Sequence, residues 1–223
     1  ISFLIVLLPS LLVFLEPDTG AIIFYLIIYL TILIMAKLNY KLYFLIFINV
    51  FFILKIFIYL FINKQDLLIN LVGTSIFYRI DRLVNFYKNT GYQMENALVI
   101  IGSSTLFGTG INNILLYIPE GINDFSLAFL TGNYGIISLI LVLISYLVID
   151  IYLIKNETYI KNKRNKMFIA SFKSVFFFQQ FYNIFMNINL LPIMGIPLPF
   201  LSYGGSTIIV YFLYLSLVLK MFS

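Results

Sequence analysis

The sequence predicts an all-α, polytopic membrane protein with about six membrane-crossing helices and one large loop region holding short interfacial helices. Three observations predict it. Hydrophobic residues make up 62% of the chain and charged residues only 10%, against about 45–50% and about 25% in soluble domains. The apolar residues fall in runs near the length of a bilayer-spanning helix, about 20 residues. The basic residues gather mainly in short gaps between those runs, where membrane topology places them.

The first run, Ile1 to Leu15, contains one proline. It has neither a basic leader nor a small-residue cleavage site. It reads as a shortened helix, and the chain as a fragment whose N-terminal part is missing. Glu16-Pro17-Asp18-Thr19-Gly20 interrupts the pattern, and Ala21 to Ala36 forms a second span ending at the basic turn Lys37–Lys41. Leu42 to Ile62 is a third span, with Lys55 inside it. That lysine could snorkel or face a cavity. Lys64 to Gly121 is mixed in character; Leu98–Ile101 and Ile111–Ile118 are too short to cross, and Gly102, Gly108 and Gly110 break the segment. Residues 64–124 are therefore assigned to a large extracytoplasmic loop region within a single membrane domain, residues 1–223.

Phe125 to Ile154 is a fourth span, longer than needed and so tilted or extended. Asp150 lies near its end and is expected to be solvated. The loop Lys155–Lys166 is the most basic, with Lys155, Lys161, Lys163, Arg164 and Lys166 against Glu157. Phe168 to Leu191 is a fifth span carrying Gln179, Gln180, Asn183, Asn187 and Asn189, which read as interhelical hydrogen bonds or cavity lining. Thr207 to Phe222 is the sixth. If all six cross, Lys37–Lys41 and Lys155–Lys166 share the cytoplasmic side. The turn at Pro17–Gly20, the long loop and the turn at Pro197–Gly205 then share the outer face.

Several chemistries are excluded. The chain has no cysteine and no histidine, so disulfides, Cys/His zinc sites, haem, iron–sulfur clusters and histidine triads are absent from it. Proton transfer must use Asp, Glu, Lys, Tyr or water. The net charge of +5 sits in membrane-flanking loops, which argues against a nucleic-acid partner.

Four stretches could carry chemistry. Gly195-Ile-Pro-Leu-Pro-Phe-Leu-Ser-Tyr-Gly-Gly-Ser206 cannot run as helix, because Pro197 and Pro199 lack a backbone donor and Gly204-Gly205 opens unusual conformations. Irregular chain at membrane depth is buried in protein or lines a wet cavity, so this is either a plain turn or part of a site. Asp124, before the fourth span, reads as a helix N-cap or as a carboxylate general base at the membrane surface, and the two roles are compatible. Arg79 and Arg82 read as phospholipid headgroup contacts or as solvated interfacial charges. Asp18 is placed to cap the second span. The glycine-rich run Gly102–Gly110 is not a phosphate-binding P-loop, since no strand precedes it and no Lys-Ser/Thr follows.

The segment Gly195–Ser206 closely resembles the C-terminal signature of the SEDS family (shape, elongation, division and sporulation), typified by RodA, FtsW and SpoVE. Ile118-Pro119-Glu120-Gly121-Ile122-Asn123-Asp124-Phe125 resembles the family's Pro-Glu-x-x-Thr-Asp-Phe segment, with Ile122-Asn123 in place of a His-Thr pair. Thr131-Gly132-Asn133-Tyr134-Gly135 stands where acidic residues before a glycine are usual. Arg79-Ile80-Asp81-Arg82 with Gly91-Tyr92-Gln93, and Pro17-Asp18-Thr19-Gly20, match two further family segments in order. The resemblance implies the C-terminal six helices of a ten-helix fold. It implies a peptidoglycan glycosyltransferase that polymerises lipid II at the outer face of the bacterial cytoplasmic membrane, in elongation, division or sporulation. Asp124 would be catalytic. Arg79, Arg82, Gln93, Glu120, Ser202 and Tyr203 would bind substrate, and Asp18, Pro197, Pro199, Gly204 and Gly205 would shape the cavity. A divalent cation (Mg or Mn) could assist, with no metal ligand assigned, and the partners would be membrane lipids and a class B penicillin-binding protein. A lipid II flippase and a non-catalytic scaffold are the alternatives.

Overall fold

The computed structural model describes residues 2–15, 19–37, 40–74, 77–78, 81, 84, 91–110, 116–119 and 121–222. Among them the regular structure is helical, without strands. The helices are α1 (Ser2–Leu15), α2 (Thr19–Ala36), α3 (Tyr40–Asn63), α4 (Gln65–Val72), α5 (Tyr92–Ser103), α6 (Ser126–Glu157), α7 (Lys163–Asn187) and α8 (Gly205–Phe222).

Local chemistry explains several boundaries. Asn162 caps α7, its side chain accepting from the Arg164 amide at 3.0 Å. Gly73, at φ 89°, ends α4 and donates its amide back to the Ile69 carbonyl at 2.8 Å. The Tyr43 hydroxyl donates to the Leu33 carbonyl at 2.5 Å, closing the turn between α2 and α3.

Helix α7 is the hub. It packs against α2, α5, α6 and α8, while α1 rests on α2, α5 on α6, and α3 on α4. One apolar core joins Tyr146 and Leu153 of α6, Ile169 and Phe176 of α7, Leu198 of the following loop and Val218 of α8. A second joins Ala97 of α5, Phe125 and Ala128 around the start of α6, Met186 of α7 and Ile196. The side chains left outside are apolar too: Phe51, Ile56, Leu147, Ile151 and Phe212 are all exposed. That is the surface a bilayer solvates. Lys55 is exposed among them.

Two of the described helices have the length and composition to cross a membrane, Ser126–Glu157 and Gly205–Phe222, with mean hydropathy 2.6 and 1.7 over an 18-residue stretch of each. The expected surplus length of the fourth span has a specific origin. Gly135 (φ 82°, ψ −178°) breaks α6 into a short leading segment and a long one.

Asp150 departs from expectation. It is buried rather than solvated, and its carboxylate accepts from the Gln180 amide at 3.2 Å. Its position near the helix end does not expose it, because α7 packs along this part of α6 and covers it.

Candidate functional site

The loop between α7 and α8, termed the hairpin below, is irregular for the reasons its sequence suggests. Asn189, Gly195 and Phe200 have φ of 60°, 65° and 62°. A left-handed phenylalanine is strained and persists only where its surroundings over-determine it. Here the Phe200 ring lies 5.9, 5.3 and 5.4 Å from the rings of Phe176, Tyr211 and Phe212. The preceding Pro199 carbonyl accepts from the buried Tyr146 hydroxyl at 2.5 Å. The Ser202 amide closes the turn onto the Leu198 carbonyl at 3.0 Å.

That turn reaches across to the segment before α6. Ser202 Oγ accepts from the Leu198 amide (2.7 Å), donates to the Asn123 carbonyl (2.6 Å) and lies 3.0 Å from Ser126 Oγ. The Tyr203 amide donates to the Ile122 carbonyl at 3.0 Å. Asn183 Nδ2, on α7, donates to the Asp124 carbonyl at 2.8 Å and to the Ile196 carbonyl at 2.9 Å. Three successive carbonyls, those of residues 122, 123 and 124, are thus held by the hairpin or by α7.

Asp124 is half-buried in this setting. It does not occupy the N-cap position of α6. Phe125 does, without a side-chain cap. The acceptor that a capping side chain would supply comes from another helix: Asn187 Oδ1 accepts the Ala128 amide at 3.2 Å. Asn187 Nδ2 meets the carbonyl and Oδ1 of Asn183, each at 2.9 Å, and the Asp124 carbonyl at 3.4 Å. Both asparagines are fully buried. Gln179, Gln180, Asn183 and Asn187 therefore serve loop backbone as well as the helix–helix contacts expected of them, whereas Asn189 lies past the end of α7 and its buried Oδ1 meets no partner among the described residues.

The glycine-rich run has a defined place. Breaking α6 at Gly135 removes backbone partners on both sides of the break, and residues 105–110 replace them. The Thr105 and Leu106 carbonyls accept from the Ile136 and Ile137 amides at 3.1 and 3.3 Å. The Thr109 and Gly110 amides donate to the Gly132 and Asn133 carbonyls, both at 3.1 Å. A Cβ on Gly108 would stand 2.3 Å from the Asn133 carbonyl oxygen, and one on Gly135 2.2 Å from that of Leu106. Thr131 and Asn133 are buried and donate back within their own helix.

The other expected site residues divide as follows. Gln93 lies on α5, one turn before Asn96, whose Nδ2 donates to the Tyr117 carbonyl at 2.9 Å and ties α5 to the stretch leading into Pro119. Tyr203 is 75% exposed, at the surface where the two loops meet. Ser202 is buried, so its hydroxyl holds the loops together. Pro199 is buried and Pro197 half-buried within the hairpin. The Gly204 carbonyl accepts from Thr207 Oγ1 at 2.9 Å, and Gly205 begins α8. Arg79, Arg82, Glu120 and Asp18 lie outside the described residues. Sequence reasoning missed Ser126 and Tyr146 as holding residues. The four-residue spacing of Asn183 and Asn187 was the signal that could have flagged one shared face.

Among the described residues no group of three acidic side chains gathers to hold a metal. A groove of about 600 Å³ runs between α2, α7 and α8 past Phe24, Arg164, Phe172, Gln179 and Tyr211; Asp124 does not line it.

Fold and site together define a class: a helical membrane protein whose two irregular loops at one end are bonded into a single unit beside one half-buried carboxylate. The chain belongs to the FtsW/RodA/SpoVE family, described as "Cell cycle protein", whose model matches residues 1–222. It is similar to the probable peptidoglycan glycosyltransferase FtsW of Wigglesworthia glossinidia brevipalpis, with 32% identity over 155 residues, 64% of this chain and 41% of that protein. It is 28% identical to the protein of the same name from Buchnera aphidicola subsp. Schizaphis graminum over 228 residues, 97% of this chain and 60% of that one. A solved structure titled "Structural coordination of polymerization and crosslinking by a peptidoglycan synthase complex" shares the fold, with TM-score 0.72 and 18% identity over all of this chain and 60% of that one. The chain thus spans about 40 to 60% of the length of these proteins.

Proposed function

We propose that this chain carries the reacting end of a peptidoglycan glycosyltransferase that polymerises lipid II at the outer face of the bacterial cytoplasmic membrane. The observation that carries the reading is the joining of the Asp124 segment to the hairpin through the carbonyls of residues 122, 123 and 124. In this reading about six helices cross the membrane, the basic loop Lys155–Lys166 is cytoplasmic, and both loops face outward.

Glycosyl transfer from a lipid diphosphate needs a base to take the proton from the attacking sugar hydroxyl as the new bond to the anomeric carbon forms. It also needs positive charge on the departing diphosphate. Asp124 is the base, at the membrane surface where a neighbouring sugar can reach it. Arg79 and Arg82 neutralise the leaving group. Tyr203 and Gln93 contact substrate, and Glu120 lies next to the same segment in sequence. Ser202, Pro197, Pro199, Gly204 and Gly205 hold the shape of the loop, and Asp18 contributes to the cavity. A divalent cation (Mg or Mn) would share in neutralising the departing diphosphate, with no protein ligand assigned to it. A class B penicillin-binding protein is the partner that would crosslink the product; the shared fold with a subunit of a peptidoglycan synthase complex supports this.

A lipid II flippase would need polar groups free along the membrane depth. The buried Asp150 and Gln179 are instead partnered within the bundle, by Gln180 and the Tyr211 hydroxyl. The test is polymer formation from purified lipid II by the full-length protein. Asp124→Asn is expected to lower the rate by on the order of 10²–10⁴, the usual worth of a general base. Retention of the wild-type rate would overturn the assignment. Lipid translocation unaffected by the same change would point to the flippase.

A further inference from the structure

We propose that Asn183 and Asn187 of α7 are positioning residues for Asp124, a clamp that fixes where the carboxylate stands relative to the hairpin. The inference rests on the reading of Asp124 as the base.

The clamp is complete as a donor and acceptor set. Asn183 gives its two amide hydrogens to carbonyls on different loops, that of Asp124 and that of Ile196. Its own Oδ1 and backbone carbonyl accept from Asn187. Asn187 turns its Oδ1 to the Ala128 amide in the first turn of α6. A primary amide has two donors and one acceptor oxygen, and both asparagines use both kinds with no solvent contact. Burying two amides is costly unless each group is met. Here the partners are backbone atoms on either side of one residue. The Asp124 carbonyl is held directly, the Asn123 carbonyl is held by Ser202, and the Ala128 amide is held four residues on. With the chain fixed before and after Asp124, the direction of its Cα–Cβ bond is fixed too. Asn187 supplies the acceptor for the Ala128 amide in the first turn of α6.

A base must stand within hydrogen-bond reach of the proton it takes, and a misplacement of about 1 Å can cost on the order of 10²-fold in rate. Asn183→Asp keeps the side-chain shape but has at most one hydrogen to give where two carbonyls ask for one. Asn187→Asp keeps the acceptor for Ala128 and loses the donors toward Asn183 and Asp124. Both should lower kcat by about 10- to 100-fold and leave KM for the lipid-linked donor unchanged, because neither asparagine reaches the solvent-facing surface.

The experiment uses the full-length protein in two formats. In the first, kcat and KM are measured for Asn183→Asp, Asn187→Asp, Asp124→Asn and the two double variants, with thermal melting to confirm folding. The expected result is a kcat loss in each asparagine variant and no further loss when it is added to Asp124→Asn, as for residues acting through one group. In the second, cysteines replace Ile122 and Tyr203, neighbours through their backbone bond and both exposed. Disulfide yield under mild oxidation should fall several-fold when Asn183→Asp is added. If Asp124→Asn is inactive while both asparagine variants keep wild-type kcat and crosslinking, the clamp is wrong and the base assignment stands. A rise in KM in place of a fall in kcat also overturns the clamp. If Asp124→Asn keeps its rate, the base assignment fails, and the crosslinking yield alone decides whether the asparagines hold the loops. Should Asn183→Asp fail to fold, Asn187→Asp carries both measurements.

Discussion

Helix α7 does two different jobs along its length with similar side chains. Toward the basic loop, side chain meets side chain: Gln180 donates to Asp150, and Lys173 pairs with Glu157. Toward the hairpin, side chain meets backbone: Asn183 and Asn187 serve the Asp124 and Ile196 carbonyls and the Ala128 amide. The difference follows from what each end must satisfy. Two helices running side by side meet their own backbone needs, so polar pairs between them add only about 0.6 kcal/mol on average in a membrane protein. Irregular chain at a membrane boundary leaves carbonyls and amides without partners, and each one buried unmet costs about 1–3 kcal/mol. The hairpin end is therefore where amides matter most, and it is also where the carboxylate sits.

The largest effect is expected at the docked glycines, where residues 105–110 meet the broken start of α6 near the Asp124 segment. Gly135→Ala places a Cβ 2.2 Å from the Leu106 carbonyl oxygen, at a φ of 82° that L side chains rarely adopt. The backbone strain alone is worth about 1–3 kcal/mol. Relieving the overlap must also release the four backbone bonds between residues 105–110 and the broken helix. A loss of about 4 kcal/mol is expected, read as a collapse of the melting temperature in detergent or as failure of the protein to accumulate. Gly102→Ala is the control, since nothing lies within 4 Å of a Cβ there. Equal behaviour of the two would mean that the loop is not docked on α6.

A matched pair of amide substitutions tests the comparison itself. Asn183→Leu leaves the Ile196 carbonyl without its donor and the Asp124 carbonyl with only the long 3.4 Å contact from Asn187, and should cost roughly 2–3 kcal/mol. Gln180→Leu removes one side-chain bond to Asp150, and the carboxyl left behind can be neutralised by a proton. Its cost should stay near 1 kcal/mol. Melting both variants in the same detergent decides the matter. If Gln180→Leu is the more damaging, the division between the two ends of α7 is wrong.

Much of this was legible in the sequence, and the rest was not for identifiable reasons. Apolar runs located the helices, since composition and length are local properties. Pro197, Pro199, Gly204 and Gly205 marked the hairpin for the same reason. The bonds from Ser202 to Asn123 and Ser126 join positions more than 70 residues apart, and no spacing rule reaches that far. Gly102–Gly110 read as a break, while Gly132 and Gly135 lay inside a span read as continuous. That the two stretches break against one another depends on close backbone approach, which glycine permits without announcing its partner. Asp124 read as a helix cap, a base or both because it precedes an apolar run; that the Ala128 amide finds its acceptor in Asn187 of a different helix could not be read locally. Asp150 read as solvated because a helix end was near, and the packing of α7 buries it.

Ser202→Ala probes the junction between the loops at lower cost. The change strips a partner from the Leu198 amide and the Asn123 carbonyl, while Tyr203 keeps its backbone bond to Ile122. The expected destabilisation is about 1–2 kcal/mol, with a rise in hydrogen exchange confined to residues 198–203 and 122–126. Exchange spreading along the α6–α7 seam would show that the junction is not a local unit.

The smallest effect belongs to the pair nearest the basic loop. Lys173 reaches Glu157 with both side chains partly exposed, so water screens the pair and side-chain ordering offsets much of its attraction. Partly exposed pairs are worth up to about 1 kcal/mol. Lys173→Met keeps the aliphatic stem in place beside α6 and removes only the charge. Its melting temperature should lie close to that of the parent, and raising the salt concentration should narrow the gap further, because the lost interaction is the part that salt screens. A loss matching that of Asn183→Leu would mean that the charged pair, and not the amides serving backbone, anchors α7, and the contrast between its two ends would have to be reversed.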